Sequence, residues 1–449
     1  MKNKAILIIG AGRSGVAAAQ MLMKLEKSVI IYDDNSNVNI GKINEVLPET
    51  GSVNFAFCDV SKLDFEKIML CVVSPGVPLS NATMQHILCS GVPVIGEIEL
   101  GYIYDKGEII AITGTNGKTT TTSLVHEIVK LHNESTLLVG NIEIPYTGLA
   151  LESVQGGATV AEISSFQLET MPHFKPKVSA ILNITEDHID RHKTFENYAN
   201  IKMSIAKNQD ENDFCVLNYN DPLLKEFSKT VKCKPVLFNA LGKLDEGAYC
   251  EDGKMYIALE GETHFVCNVV DTNLVGTHNV ENMLSAIAMT YCFGVKIETI
   301  VKGLRKFKAV EHRIEFVREK DEVKYYNDSK GTNTDAAIKA VCAMPSETVL
   351  IAGGYDKKSD YTEWVGTFEG RVKNLILIGQ TAKDIANKCD ELGFTAYEFA
   401  EDMQEAVGLC QKYAQKGNCV LLSPACASFG MFKSYQHRGE TFKDCVNAL

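Results

Sequence analysis

The stretch Ile109–Thr122 reads Ile-Ile-Ala-Ile-Thr-Gly-Thr-Asn-Gly-Lys-Thr-Thr-Thr-Thr. An apolar run of β type feeds a turn bracketed by Gly114 and Gly117, and a helical pattern then opens on Lys118 and Thr119. Such a turn is a phosphate cradle. Its glycines let successive backbone N–H groups face an anion, the helix N-terminus adds the positive end of its dipole, a lysine reaches terminal phosphates and a hydroxyl meets Mg²⁺. The spacing is a variant, because Ile112 stands where the usual loop has its first glycine. Gly114, Thr115, Asn116, Gly117, Lys118, Thr119 and Thr120 are therefore candidate ATP ligands, with Thr119 also facing the metal.

A second turn of this kind lies near the start of the chain. The apolar run Ala5–Ile9 leads into Gly10-Ala11-Gly12-Arg13-Ser14-Gly15, a helical pattern follows to Leu25, and a second apolar run over 28–32 ends at Asp33 and Asp34. This is a dinucleotide-type βαβ unit, which admits a diphosphate to the helix N-terminus. Taken alone it suits an NAD-dependent dehydrogenase as well as any nucleotide-diphosphate binder. Another apolar run ends in Ser74-Pro75-Gly76, so a second loop is expected to face the same crevice.

Downstream of the phosphate loop, apolar runs and helical patterns alternate in the α/β manner. Glu162 falls at the end of such a run, where a hard oxygen ligand for Mg²⁺ is expected. The run over 178–182 leads into Asn-Ile-Thr-Glu-Asp-His-Ile-Asp-Arg-His, residues 183–192, and His188 among those acids points to metal or phosphate chemistry. Lys202 lies in a helical pattern over 195–207, where residue physics alone makes it a surface lysine. Short hairpin strands are expected over 240–270, and an Ala-rich helix is capped by Thr277-His278-Asn279. From Val310 onward two charged strands, the segment Asn327-Asp328-Ser329-Lys330-Gly331-Thr332-Asn333, and buried runs over 349–352, 375–379 and 420–423 predict another doubly wound domain.

Composition bounds the function. A chain of 449 residues suggests roughly three domains. The net charge of −12 argues against a general binder of nucleic acid or membrane surfaces. Fourteen cysteines with no Cys-x-x-Cys pair suggest free thiols in the cytosol, and no apolar run approaches the roughly 18 residues that span a bilayer. The first residues read as a strand running into a glycine turn rather than as a signal peptide.

The motifs Gly-Thr-Asn-Gly-Lys-Thr, Glu-Ile-Ser-Ser-Phe-Gln-Leu-Glu, Asn-Ile-Thr-Glu-Asp-His-Ile-Asp-Arg-His, Gly-Thr-His-Asn-Val-Glu-Asn, Asn-Asp-Ser-Lys-Gly-Thr-Asn and Leu-Ser-Pro-Ala-Cys-Ala-Ser-Phe-Gly-Met-Phe occur in that order along the chain. Together the set resembles the Mur ligases of peptidoglycan synthesis, and within them the members that add D-glutamate to UDP-N-acetylmuramoyl-L-alanine. The resemblance implies three α/β domains: a Rossmann-like UDP-substrate domain over 1–96, a P-loop ATPase-type central domain over 97–309, and a Rossmann-like amino-acid domain over 310–449. It also implies a cytoplasmic monomer that uses ATP and two Mg²⁺ ions, with no nucleic-acid partner and no membrane insertion.

Residue by residue, the resemblance makes Lys118, Glu162, His188, Lys202 and Lys330 catalytic, with Thr119, Glu162, His188 and a carbamylated Lys202 at the metals. Asn141, Asn282, Arg313 and Asp328 join the phosphate loop at ATP, the last two reaching across a domain junction, so that domain closure is implied. Ser14, Asp33, Asp34, Ser74 and Gly76, with Asn141 and His188, receive the UDP substrate. Lys330, Thr332, Lys357, Ser428, Phe429 and Tyr435 receive D-glutamate. Two departures stand out: Asn35 follows Asp34 where some members carry arginine, and Tyr355 stands where an acid can precede Asp356 and Lys357. A folylpoly-γ-glutamate synthetase shares the loop variant but not the Gly10 turn, and a dehydrogenase accounts only for the first hundred residues. A nucleotide-binding regulator without catalysis would lack the metal and lysine positions, and all are present.

Overall fold

The computed structural model describes residues 4–142, 144–308, 310–355 and 359–449. It contains three sheets, each carrying its candidate residues at the carboxyl ends of parallel strands.

In the first sheet five parallel strands run in the order Ser52–Phe57, Ser28–Asp33, Ala5–Ile9, Ile68–Val73, Val94–Gly96. The chain order reverses between Ala5–Ile9 and Ile68–Val73, which is where an open α/β sheet forms a ligand crevice. Gly10 and Ser74 both lie at that reversal. The strand Ser52–Phe57, absent from the expected elements although Ser-Val-Asn-Phe alternates polar and apolar residues, forms the far edge of the sheet.

The second sheet has nine strands. Its middle strand for function is Glu108–Thr113, flanked in parallel by Ala158–Glu162 and Val178–Ile181, with Thr136–Gly140 beyond the former. On the other side Phe214–Asn218 and Lys234–Asn239 continue the parallel set. Gly247–Glu251, Lys254–Leu259 and Glu262–Asn268 then form the expected hairpins at the edge.

The third sheet follows the order Glu315–Lys320, Val323–Asn327, Cys419–Leu422, Thr348–Ala352, Val372–Leu377, Tyr397–Phe399, antiparallel only at its first pair. Alternate residues of its strands enter two separate cores: Leu350, Ala352, Leu375 and Leu377 on one face, Val349, Ile351, Ile376 and Ile378 on the other. That is the two-residue period of a strand covered on both sides, which is why these runs read as continuously apolar.

The chain forms two compact units, Met1–Val269 with Glu281–Arg305, and Val270–Val280 with Lys306–Leu449. The first two sheets belong to one unit because they share a core: Ile6, Ile8, Ala18 and Leu22 are continuous with Ile109, Val139, Ile163 and Cys215. The helix Glu97–Tyr104 sits in that junction, with Glu97 and Glu99 buried at 2 % and 0 % exposure. Each carboxylate is held by backbone. Glu97 Oε1 accepts from Thr147 N and Oγ1, both at 2.7 Å, while Glu99 accepts from His173 N and Phe174 N at 3.0 Å. Burial nonetheless pushes the Glu97 carboxyl up to about 7. Among the described residues no helix is long and apolar enough to cross a membrane, and all fourteen cysteines are free thiols.

Candidate active site

The phosphate loop has the local form its sequence predicts. Strand Glu108–Thr113 stops at Gly114, Gly117 caps the helix Lys118–His132 with φ +84°, and Thr119 and Thr120 lie in the first helical turn. A side chain at Gly117 would be strained in that backbone and would place Cβ 2.4 Å from Asn282 Oδ1. The same Asn282 oxygen accepts from Thr121 Oγ1 at 3.2 Å, so Asn282 braces the loop's second glycine.

Two lysines meet at one carbonyl. Lys118 Nζ donates to Gly114 O and Thr115 O at 2.8 Å, and Lys202 Nζ donates to Gly114 O at 2.7 Å. Here the surface reading of Lys202 fails: its residue is 1 % exposed, because the helix Phe195–Met203 packs this face inward over the loop. Burial first, and the Lys118 charge second, hold the Lys202 ammonium well below its ordinary 10.5. The shift favours the uncharged amine relative to a solvent-exposed lysine. Tyr198, one helical turn earlier on the same face, lies under it with its ring 4.8 Å away and its hydroxyl 3.0 Å from Thr115 Oγ1.

Beside the lysines stands Glu162, 1 % exposed at the end of its strand. Oε1 accepts from Asn141 Nδ2 at 2.8 Å, whereas Oε2 is buried with no hydrogen-bond partner among the described residues. An orphaned carboxylate oxygen beside a phosphate loop fits a hard divalent cation, and Glu162 Oε2 with the Thr119 hydroxyl and His188 is a donor set suited to Mg²⁺. An unmodified Lys202 ammonium does not fit that set; its carbamate would.

Lys118, Asn141, Phe166, His188, Tyr198 and Lys202 line a common cavity of 130 Å³. His188 is at its open side, 3.5 Å from Asp187, with its ring 4.8 Å from that of Phe166. The neighbouring His192 is different. It is buried, 3.0 Å from Ser165 Oγ and 3.5 Å from Glu169, and burial lowers its pKa, so it supports the cavity from behind.

At the first sheet, Ser74 Oγ donates to Gly10 O at 3.4 Å and joins the two turns. Asp33 faces inward: Oδ2 accepts from Ala11 N at 2.8 Å and Oδ1 from Asn35 N at 2.9 Å. Asp34 Oδ1 accepts from Tyr32 Oη at 2.7 Å and Thr83 Oγ1 at 2.8 Å. Ser14 is half-buried at the start of the helix Arg13–Lys24, and Gly76 is exposed.

In the other unit, Asp328 follows the strand Val323–Asn327 and accepts from Ser423 Oγ at 2.8 Å and Ile314 N at 3.3 Å. Burial pushes its carboxyl up to about 7, against the pull of Ser423 and Arg313. Lys330 lies over the Tyr435 ring, 5.4 Å from its centre, and Thr332 N donates to Lys330 O. Ser428 is buried, while Phe429 is exposed and meets Tyr355 edge to face. What ties these turns together is Arg438, which sequence reasoning passed over. Fully buried, it donates to Ser329 Oγ at 3.0 Å, Ser329 O at 2.8 Å and Cys426 O at 3.1 Å. Lys357 and Asp356 lie outside the described residues.

Comparison with known proteins agrees with this geometry along the whole chain. Residues 4–96 match the Mur ligase MurD-like N-terminal domain, 112–290 the Mur ligase middle domain, and 312–426 the Mur ligase glutamate ligase domain. The chain belongs to the Mur ligase family. A UDP-N-acetylmuramoylalanine–D-glutamate ligase of Lachnospira eligens is 49% identical over 453 residues, covering 100% of both chains. The ligase of that name from Clostridioides difficile is 42% identical, covering 100% of this chain and 99% of its own. Among solved structures, the UDP-N-acetylmuramate-alanine ligase of Thermotoga maritima superposes with a TM-score of 0.60 at 16% identity, covering 99% of each chain. MurF ligase from Thermotoga maritima, in complex with ADP, does so with a TM-score of 0.60 at 15% identity, covering 94% of this chain and 96% of its own. At that identity the shared property is the fold.

Tyr198 and Arg438 were the residues a sequence reading could have found. Tyr198 is four positions before Lys202, and Arg438 three after Tyr435, so helical spacing puts each on the face of a residue already singled out.

Proposed function

We propose that this chain is an ATP-dependent ligase that joins D-glutamate to UDP-N-acetylmuramoyl-L-alanine through an acyl phosphate. The observation that carries the chemistry is the convergence of Lys118 and Lys202 on Gly114 O beside the unpartnered oxygen of Glu162. The full-length relatives supply the substrates.

A carboxylate is a poor acyl donor, so it must first be phosphorylated. The Gly114–Gly117 turn receives the triphosphate on its backbone N–H groups, and Lys118 leaves the Gly114 and Thr115 carbonyls to neutralise the transferring phosphoryl. Thr119, Glu162, His188 and a carbamylated Lys202 would hold two Mg²⁺ ions, which would supply neutralisation of the phosphate charge. The Lys202 ammonium gives up a proton, which its burial favours, and the free amine adds to CO₂ with loss of a second proton, so that a carbamate anion replaces a cation. Asn141 fixes the Glu162 carboxylate, and Tyr198 meets Thr115 with its hydroxyl and Lys202 Nζ with its ring face. The D-glutamate amine then attacks the acyl phosphate and expels phosphate, with Lys330, Thr332, Lys357, Ser428, Phe429 and Tyr435 orienting the amino acid and Arg313 and Asp328 serving the nucleotide.

On this reading residues 1–96 anchor the UDP substrate, 97–309 the ATP and 310–449 the amino acid. All the residue sets lie on one chain, so a monomer suffices. The test is phosphate release from ATP with UDP-N-acetylmuramoyl-L-alanine across a panel of amino acids. Release is expected with D-glutamate alone; equal release with L-lysine or D-alanine would reject the assignment.

A further inference from the structure

The Glu-Asp-His-Ile-Asp-Arg-His segment contains one arginine, which the reaction scheme leaves unused. Arg191 sits in the short helix Ile189–His192, three residues beyond His188, and its guanidinium is spent on three partners at once. Nε and Nη2 donate to Glu169 Oε1 and Oε2 at 3.1 and 2.7 Å, a two-pronged ion pair in which neither side chain is more than 13 % exposed. Its carbon lies 4.2 Å from the centre of the Phe166 ring. Nη2 also donates to Val77 O, 3.3 Å away in the first sheet's second turn.

Val77 closes that turn through its N–H to Ser74 O, and its side chain packs 3.5 Å from the position a Cβ would take on Gly10. Phe166, on the other side, packs against His188 and lines the cavity shared by Lys118 and Lys202. One guanidinium therefore touches the Ser74–Val77 turn that packs on Gly10 and the wall of the phosphoryl-transfer cavity. A long substrate anchored at the first and reacting at the second is sensitive to the span between them, since a misplacement of about 1 Å can cost on the order of 10²-fold in rate.

We propose that Arg191, clamped by Glu169 and Phe166, is a positioning residue that sets the distance between the UDP-anchoring turn and the acyl-activation cavity. A lysine cannot replace it, because one ammonium cannot serve a bidentate carboxylate, a ring face and a carbonyl together. The inference rests on the ligase reading above.

The test uses the full chain and two acyl substrates: UDP-N-acetylmuramoyl-L-alanine, and N-acetylmuramoyl-L-alanine 1-phosphate, which keeps the reacting carboxylate and lacks the uridine monophosphate end. In Arg191→Met and Arg191→Lys, kcat/KM for the UDP substrate is expected to fall by about 10²-fold. The KM for ATP and the rate with the truncated substrate are expected to stay within about twofold of wild type. Glu169→Gln, which keeps the shape and weakens the clamp, should fall between. An equal loss on both substrates would overturn the proposal in favour of a collapsed cavity, and no loss on either would show that the contact with Val77 carries nothing. If Arg191→Met does not fold, Arg191→Lys and Glu169→Gln carry the test with the same split between the two substrates. Failure of wild type to join D-glutamate to the UDP substrate would instead reject the ligase reading, whatever Arg191 does.

Discussion

The Gly10 and Gly114 turns are built alike and do different work. Each follows a buried parallel strand, opens a helix and sits where its sheet forms a crevice. They differ in what the rest of the unit brings. Around Gly114 stand the amino groups of half-buried Lys118 and buried Lys202 and a carboxylate oxygen with no hydrogen-bond partner among the described residues, a set suited to a phosphate and a cation. Around Gly10 the half-buried Asp33 is already satisfied by Ala11 N and Asn35 N. The first turn is finished without a ligand; the second is not. A turn that only holds can be completed by its own backbone, whereas one that must stabilise moving charge has to keep unspent donors and acceptors.

Removing a lysine tests this contrast most severely. Lys118→Ala should lower kcat by about 10²–10³-fold, the cost typical of one lost donor to a transition state, while binding of the UDP substrate, followed calorimetrically without ATP, stays unchanged. A large loss of that binding would mean that the two turns are not separable.

Next in size is the Lys202 effect. In CO₂-free buffer the native chain binds fewer protons at this lysine than the unfolded chain does between the depressed value and 10.5, so this group makes stability rise with pH across that window. Bicarbonate should raise activity several-fold in wild type and leave Lys202→Met unaffected, and Lys202→Met should lose the alkaline part of the stability slope. Activity indifferent to bicarbonate, together with an unmodified mass, would remove the carbamate.

Glycine substitutions come third. A Cβ on Gly15 would lie 1.8 Å from Gly10 O, a backbone atom that cannot swing away, so Gly15→Ala should cost about 1–3 kcal/mol of stability and weaken the UDP substrate more than ATP. Gly117→Ala should show the reverse preference. Equal effects on both ligands from both variants would erase the distinction.

The smallest effect is expected at Asp33. Asp33→Asn keeps an acceptor for Ala11 N and loses the charge assistance, so stability should fall by about 1 kcal/mol, with the KM for ATP unmoved. A collapse of UDP-substrate binding without any loss of stability would show that Asp33 grips the ligand rather than the turn.

Much of this was legible in one dimension. The phosphate loop, the Gly10 turn and the order of the α/β units follow from local rules, because a strand, a positive-φ glycine and a helix start are decided by residues a few positions apart. Glu162 and His188 were legible too, as polar residues at the ends of apolar strands. Lys202 was not: its helix is mildly amphipathic, and only packing over Gly114 makes its amine buried and its charge unfavourable. Nor was the role of Arg191, and the spacing from Tyr435 marked only the helix face of Arg438, not its partners. A guanidinium's worth depends on which carbonyls and carboxylates converge on it, and those partners lie 22 and 114 residues away for Arg191, and 12 and 109 for Arg438. The sequence by itself determined the three α/β sheets, the two glycine turns at Gly10 and Gly114 and membership of the family. Only the tertiary structure decided which charges are desolvated and which are already spent, because burial and hydrogen-bond satisfaction are properties of neighbours in space, and it is these that separate a turn that holds from a turn that reacts.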